Sequence, residues 1–133
     1  MTKESLRLLD ANLNRLREGI RVVEDIYRYI FNDKQTATQL KNLRHNSRID
    51  LYSELLDSRD IQNDVLKTST SSEQNREDLN SILIANFKRA QESSRVLEEF
   101  GKLINSEVSE NFKSIRYELY HLEKSISTNS KND

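Results

Sequence analysis

Leu6, Leu9, Leu13, Leu16, Ile20, Val23, Tyr27 and Ile30 follow one another at intervals of 3, 4, 3, 4, 3, 4 and 3 residues. Only an α-helix returns such positions to one face, so the spacing predicts a helix over about 4–31. A seam this long must bury itself against other helices. The remaining sequence offers little to interrupt helices, with no proline and only two glycines.

Asn32 and Asp33 then supply a stop and a new N-cap. A second helix is predicted through Leu40, Leu43, Leu51 and Leu55, ending near Asp57. Residues 58–75 have neither helical nor strand period and read as a long connection, of a length that is usually functional or disordered. The Ser/Thr run 68–72 offers N-caps for a third helix over roughly 73–104. Asn105 and Ser106 repeat the stop-and-cap, and Val108, Phe112, Ile115, Leu119, Leu122 and Ile126 mark a fourth helix before a polar tail, 127–133. The expected fold is one all-α domain over 1–133. It is a four-helix bundle of two tandem pseudo-symmetric hairpins, about 4–57 and 73–127, joined by the long loop.

Cysteine is absent, which excludes disulfides, thiolate zinc sites and cysteine nucleophiles. The 21 basic and 22 acidic residues nearly cancel, against a nucleic-acid partner, which would draw a basic excess. No apolar run approaches the roughly 20 residues of a membrane span, and MTKESLRLLD has no signal-peptide core. A soluble cytoplasmic protein is expected, with no membrane partner, whose amphipathic helices leave room for a homodimer.

The tandem reading rests on a repeat. ANLNRLREGIRVVED (11–25) returns 74 positions later as ANFKRAQESSRVLEE (85–99), and LKNLRH (40–45) is answered by FKSIRY (112–117). The shared polar letters are Asn12/Asn86, Arg15/Arg89, Glu18/Glu92, Arg21/Arg95 and Glu24/Glu98, an Arg–Glu ladder with steps of three. Such a ladder commonly lies on a solvated face, worth about 0.2–0.5 kcal/mol per pair. Both basic rungs are arginine in both copies, however, which suits bidentate grip on a phosphate. Leu16, Ile20 and Tyr27 correspond to Ala90, Ser94 and Gly101. That inequality fits interdigitating helices or an interhelical cleft. In the loop, Asp60 and Asp64 with Arg59 and Lys67 suit either a hydrated Mg²⁺ or ordinary capping.

The phrases LDANLNRLREGIRVVED, LKNLRH, Arg59-Asp60 and ANFKRAQESSRVLEEFGKL together resemble the all-helical hydroxymethylpyrimidine phosphate kinase of thiamine biosynthesis. The module also occurs fused ahead of thiamine phosphate synthase. The resemblance covers about residues 6–104. It implies ATP- and Mg²⁺-dependent phosphorylation of 4-amino-5-hydroxymethyl-2-methylpyrimidine phosphate to the diphosphate. Positioning and charge neutralisation dominate such a transfer. It assigns Arg15, Arg21, Arg89 and Arg95 to catalysis. Asn12, Arg44, His45, Arg59, Asn86 and Lys88 would grip phosphates, and Glu18, Glu92, Asp60 and Asp64 would pair charges or hold metal. Leu66 stands where the family loop carries glycine. The chain has no room for the synthase's own barrel. The competing reading is a non-catalytic helical module that docks on a thiamine-pathway enzyme such as thiamine phosphate synthase, through the ladder faces.

Overall fold

A computed structural model describes residues 1–70 and 75–131, with side chains described to 126. Among these residues the chain is all-helical, with no strand. The elements are α1 (Lys3–Asp25), a π-helical turn (Ile26–Ile30), α2 (Lys34–Asn46), α3 (Tyr52–Ser58), α4 (Leu79–Gly101) and α5 (Ser106–Lys131).

α1 and α4 form the main contact of the molecule; α2 and α3 pack on α1, and α5 packs on α4. The seam residues Leu9, Leu13, Leu16, Ile20, Val23 and Tyr27 are all buried, facing Leu83, Phe87, Ala90 and Leu97 of α4 and Phe112, Ile115, Leu119 and Leu122 of α5 within one core. Gly19 fixes how close the central pair comes. A Cβ placed there would stand 3.1 Å from the Asn86 carbonyl oxygen and 3.4 Å from the Ala90 nitrogen. The small residues of α4, Ala90 and Ser94, are fully enclosed, so the unequal seams interdigitate here and leave no cleft between them.

Each long helix begins on a side-chain cap. Thr2, Asp33 and Asp78 accept from the amides of Ser5, Thr36 and Ser81, and Asn105 accepts from Val108. The chain turns from α1 into α2 through Asn32, whose φ of 52° is the left-handed conformation asparagine tolerates.

Four boundaries differ from the sequence expectation, one of them the end of α5, which runs on to Lys131 through most of the expected polar tail. The first helix closes in a π turn. The expected second helix is two: α2 stops at Asn46, and α3 starts at Tyr52. At the break the Ser47 hydroxyl turns back to donate to the Leu43 carbonyl at 2.7 Å, and Asn111 of α5 donates to the freed Asn46 carbonyl at 3.0 Å. Leu51 and Leu55 keep helical spacing across the gap, which hides it from a periodicity argument. The third helix starts at Leu79, where Asp78 has the geometry and the acceptor of a cap. Its expected start at 73, with Ser71 and Ser72 of the Ser/Thr run, lies outside the described residues, as do Asn132 and Asp133 of the tail.

Candidate functional site

The repeated letters of the two halves come together as internal ties. Glu24 on α1 is 1% exposed, and both its oxygens accept from Arg44 of α2, Nε at 2.7 Å and Nη2 at 3.2 Å. In the second half Glu98 of α4 accepts from Arg116 of α5 at 2.8 and 3.2 Å, and from Arg95 at 2.6 Å. The hydrogen bond to Glu24 raises the Arg44 pKa above the ordinary guanidinium value, and that to Glu98 does the same for Arg116. Asn12 and Asn86 likewise each donate to the carbonyl four residues back, Leu8 and Ile82. Arg44, expected to hold phosphate, is therefore committed to a buried carboxylate.

A candidate site lies beside Asp10, a position at which the copies differ. A cleft of about 610 Å³ opens between the first half of α1 and the loop after α3. Its cations are Arg7, Arg15, Arg59 and Lys67, and its carboxylates Glu4, Asp10, Asp60 and Asp64. Asp10, buried on α1, takes a two-point grip from Arg59 at 2.8 and 2.9 Å. That bond raises the Arg59 pKa, and it ties the loop to the helix. Arg7 donates to the Asp60 carbonyl at 3.1 Å from the same side.

The loop carboxylates shape the loop. Asp60 accepts from the Gln62 and Asn63 amides at 3.2 and 3.1 Å and from the Asn63 side chain at 2.7 Å. These bonds, the Asn63 side chain foremost, hold the Asp60 carboxyl below its ordinary pKa. Asp64 accepts from the Leu66 amide at 3.0 Å. Among the described residues no group of three His, Cys, Asp or Glu side chains is placed to hold a metal ion. The donors thus do not fit a dedicated Mg²⁺ cage at Asp60 and Asp64.

With these carboxylates engaged, Arg15 faces the cleft with no hydrogen bond or ion pair to any described residue, and Lys67 makes only a 3.5 Å contact with the Gln62 carbonyl. Leu8, Ala11 and Ile61 add an apolar wall. A cleft with exposed cations beside an apolar wall can take a small molecule that carries both a ring and a phosphate.

Of the residues expected from the sequence, the cleft gathers Asn12, Arg15, Arg59, Asp60 and Asp64. Glu18, Arg21, His45, Arg89, Glu92 and Arg95 are exposed and line neither this cleft nor the cavities beside Lys34 and beside Arg48. Arg21 pairs with Asp25 at 3.3 Å, and Arg95 with Glu98 and Glu99. Lys88 reaches Glu123 of α5 at 3.2 Å. Of the four arginines expected in catalysis, Arg15 alone lines one of these cavities. Sequence reasoning missed Arg7 and Asp10. The signal for Asp10 was present, because a lone carboxylate beside the seam residue Leu9 corresponds to Ile84 in the other copy.

A family model described as the ThiD2 family matches residues 7–125. The thiamine-phosphate synthase of Thermosynechococcus vestitus is 41% identical over 124 residues, 92% of this chain and 35% of that protein. Its namesakes in Rhodopirellula baltica and a Nostoc species are 42% and 39% identical over 120 and 121 residues, covering 32% and 34% of their lengths. The chain thus spans about a third of the length of the curated relatives it matches. No solved structure matches it significantly. The names overturn the expectation of a separate pyrimidine phosphate kinase, since these relatives are called synthases, not phosphate kinases. Among the described residues no helix is long and apolar enough to cross a membrane.

Proposed function

We propose that this chain, which belongs to the ThiD2 family, is a helical module that docks on thiamine-phosphate synthase and does no phosphoryl transfer of its own. The observation that carries this reading is the pattern of coverage. In three relatives named thiamine-phosphate synthase, a stretch like this one makes up about a third of the protein. The remaining two thirds of those relatives is where we place the synthase chemistry. In those relatives the module and that remainder share one chain, which keeps them at high effective concentration.

The module itself is read as two tandem hairpins, α1 with α2 and α4 with α5, each closed by its Glu–Arg tie. The ladder faces support docking. Arg15, Glu18, Arg89 and Glu92 recur in both copies, yet their side chains bond to no described residue. Charge of both signs on an exposed helix face suits recognition of a partner surface of complementary pattern. The cleft is assigned to a phosphorylated compound of the synthase reaction, with Arg7, Arg15 and Lys67 toward its phosphate and the Leu8–Ala11–Ile61 wall toward its ring.

Mixing the chain with the thiamine-phosphate synthase of the same cell tests this by sedimentation velocity and by thiamine phosphate formation. A defined complex with altered synthase KM is expected, and Arg89→Glu with Glu92→Arg should weaken it at least about tenfold. An absence of any complex, with ADP released from ATP by the chain alone, would contradict the reading.

A further inference from the structure

A second cavity, of about 290 Å³, lies where α1 turns into α2. Its wall carries Arg28, Lys34 and Lys41, with Asn32 and Thr38 between them. Among the described residues none of the three cations has an ion pair. Arg28 lies over the Tyr29 ring at 5.0 Å, and the amines of Lys34 and Lys41 make no hydrogen bond. Glu24 also borders the cavity, but both its oxygens are already held by Arg44. Three like charges around one concavity raise a positive potential that an anion would relieve.

The second half shows how this corner could have been closed. Lys102, the counterpart of Arg28, is held by Glu99 at 2.9 and 3.0 Å. Asp25 stands in the place of Glu99 in the first half, and it pairs instead with Arg21. The spacing differs too. Sixteen positions separate Glu24 from Leu40, against fourteen between Glu98 and Phe112. The two extra residues are absorbed by the π turn Ile26–Ile30 and by Asn32 in its left-handed conformation. π turns are uncommon and recur at functional sites.

We propose that this corner is an anion site, distinct from the cleft at Asp10, which takes the phosphate or diphosphate group of a small molecule through Arg28, Lys34 and Lys41. Side chains carry the attraction. In the first turn of α2 the Thr36 amide is already answered by Asp33, whose carboxylate accepts from it at 3.1 Å and from the Thr36 hydroxyl at 2.7 Å. The inference stands apart from the docking reading and would survive its failure.

Inorganic pyrophosphate titrated into ¹⁵N-labelled protein, at ionic strength held constant with chloride, tests it. Amide shifts are expected at Asn32, Ala37, Thr38 and Lys41. The Lys34→Gln, Lys41→Gln double variant should raise the midpoint at least about tenfold, with a Tm no lower than that of the unaltered protein, because both amines are exposed and unpaired. Shifts confined to residues 7–15 and 59–67 would overturn the proposal, as would shifts that chloride reproduces or a double variant that binds as well as the parent.

Discussion

Glu24 receives Arg44 and Glu98 receives Arg116, so the two halves are closed in the same way. Asp10 receives Arg59, whereas Ile84, its counterpart 74 positions later, stands half exposed on α4 with no such partner. The first half also has α3 and the loop that Arg59 anchors after its second helix, while in the second half α5 itself runs on to Lys131. Glu24 with Arg44, and Glu98 with Arg116, recur in both copies and hold helices together. The cleft mixes repeated letters, Ala11, Asn12 and Arg15, with Asp10, which the second copy lacks.

The comparison is broken most readily at the internal ties. Arg44→Ala leaves a carboxylate buried without its partner and should lower stability by about 3–5 kcal/mol in urea unfolding at neutral pH. Arg116→Ala should do less, because Arg95 still reaches Glu98. Equal losses would show that the Arg95 contact adds nothing. Next in size is Arg59→Ala, with about 1–3 kcal/mol expected from an Asp10 left unpaired. Ile84→Ala at the matching place should stay within about 0.5 kcal/mol. A loss at Ile84 as large as that at Arg59 would abolish the asymmetry. Smaller still are Arg15→Ala and Arg89→Ala, both within about 0.5 kcal/mol of the parent in stability. Only the first should weaken a phosphorylated ligand in the cleft.

The last prediction concerns the loop itself. Folding lowers the Asp60 pKa from its ordinary 3.8, so its bonds to Gln62 and Asn63 contribute above that pH and are lost as the pH falls through the lowered value. The Gln62 and Asn63 amide resonances should therefore titrate together with a midpoint below 3.8. A midpoint at or above it would mean that the carboxylate does not hold the loop.

Much of the architecture was legible because it depends on period. The seam from Leu6 to Tyr27 is the core face of α1, and the repeat located its partner in α4. The split between α2 and α3 was not legible, because it depends on what Asn111 and the Ser47 hydroxyl do in three dimensions. Of the cleft, Arg59, Asp60 and Asp64 stood out as charges on a long loop. Asp10 and Arg7 were hidden among leucines on a confident helix. The repeated arginines drew the eye instead, and Arg21, Arg89 and Arg95 lie away from the cavities while Arg44 serves as a tie. Identity at Glu24 and Glu98 marked a tie that the fold makes twice, whereas the Asp10–Arg59 pair that anchors the cleft is made in the first half alone among the described residues.

The most direct test of that claim is a titration of thiamine phosphate into ¹⁵N-labelled protein. The account predicts amide shifts in the first half, at Arg7, Asn12, Arg15 and Asp60, with the matching stretch from Ser81 to Arg95 unmoved. Shifts of similar size at Asn86 and Arg89 would contradict it, because the repeated letters would then be binding ligand in both copies.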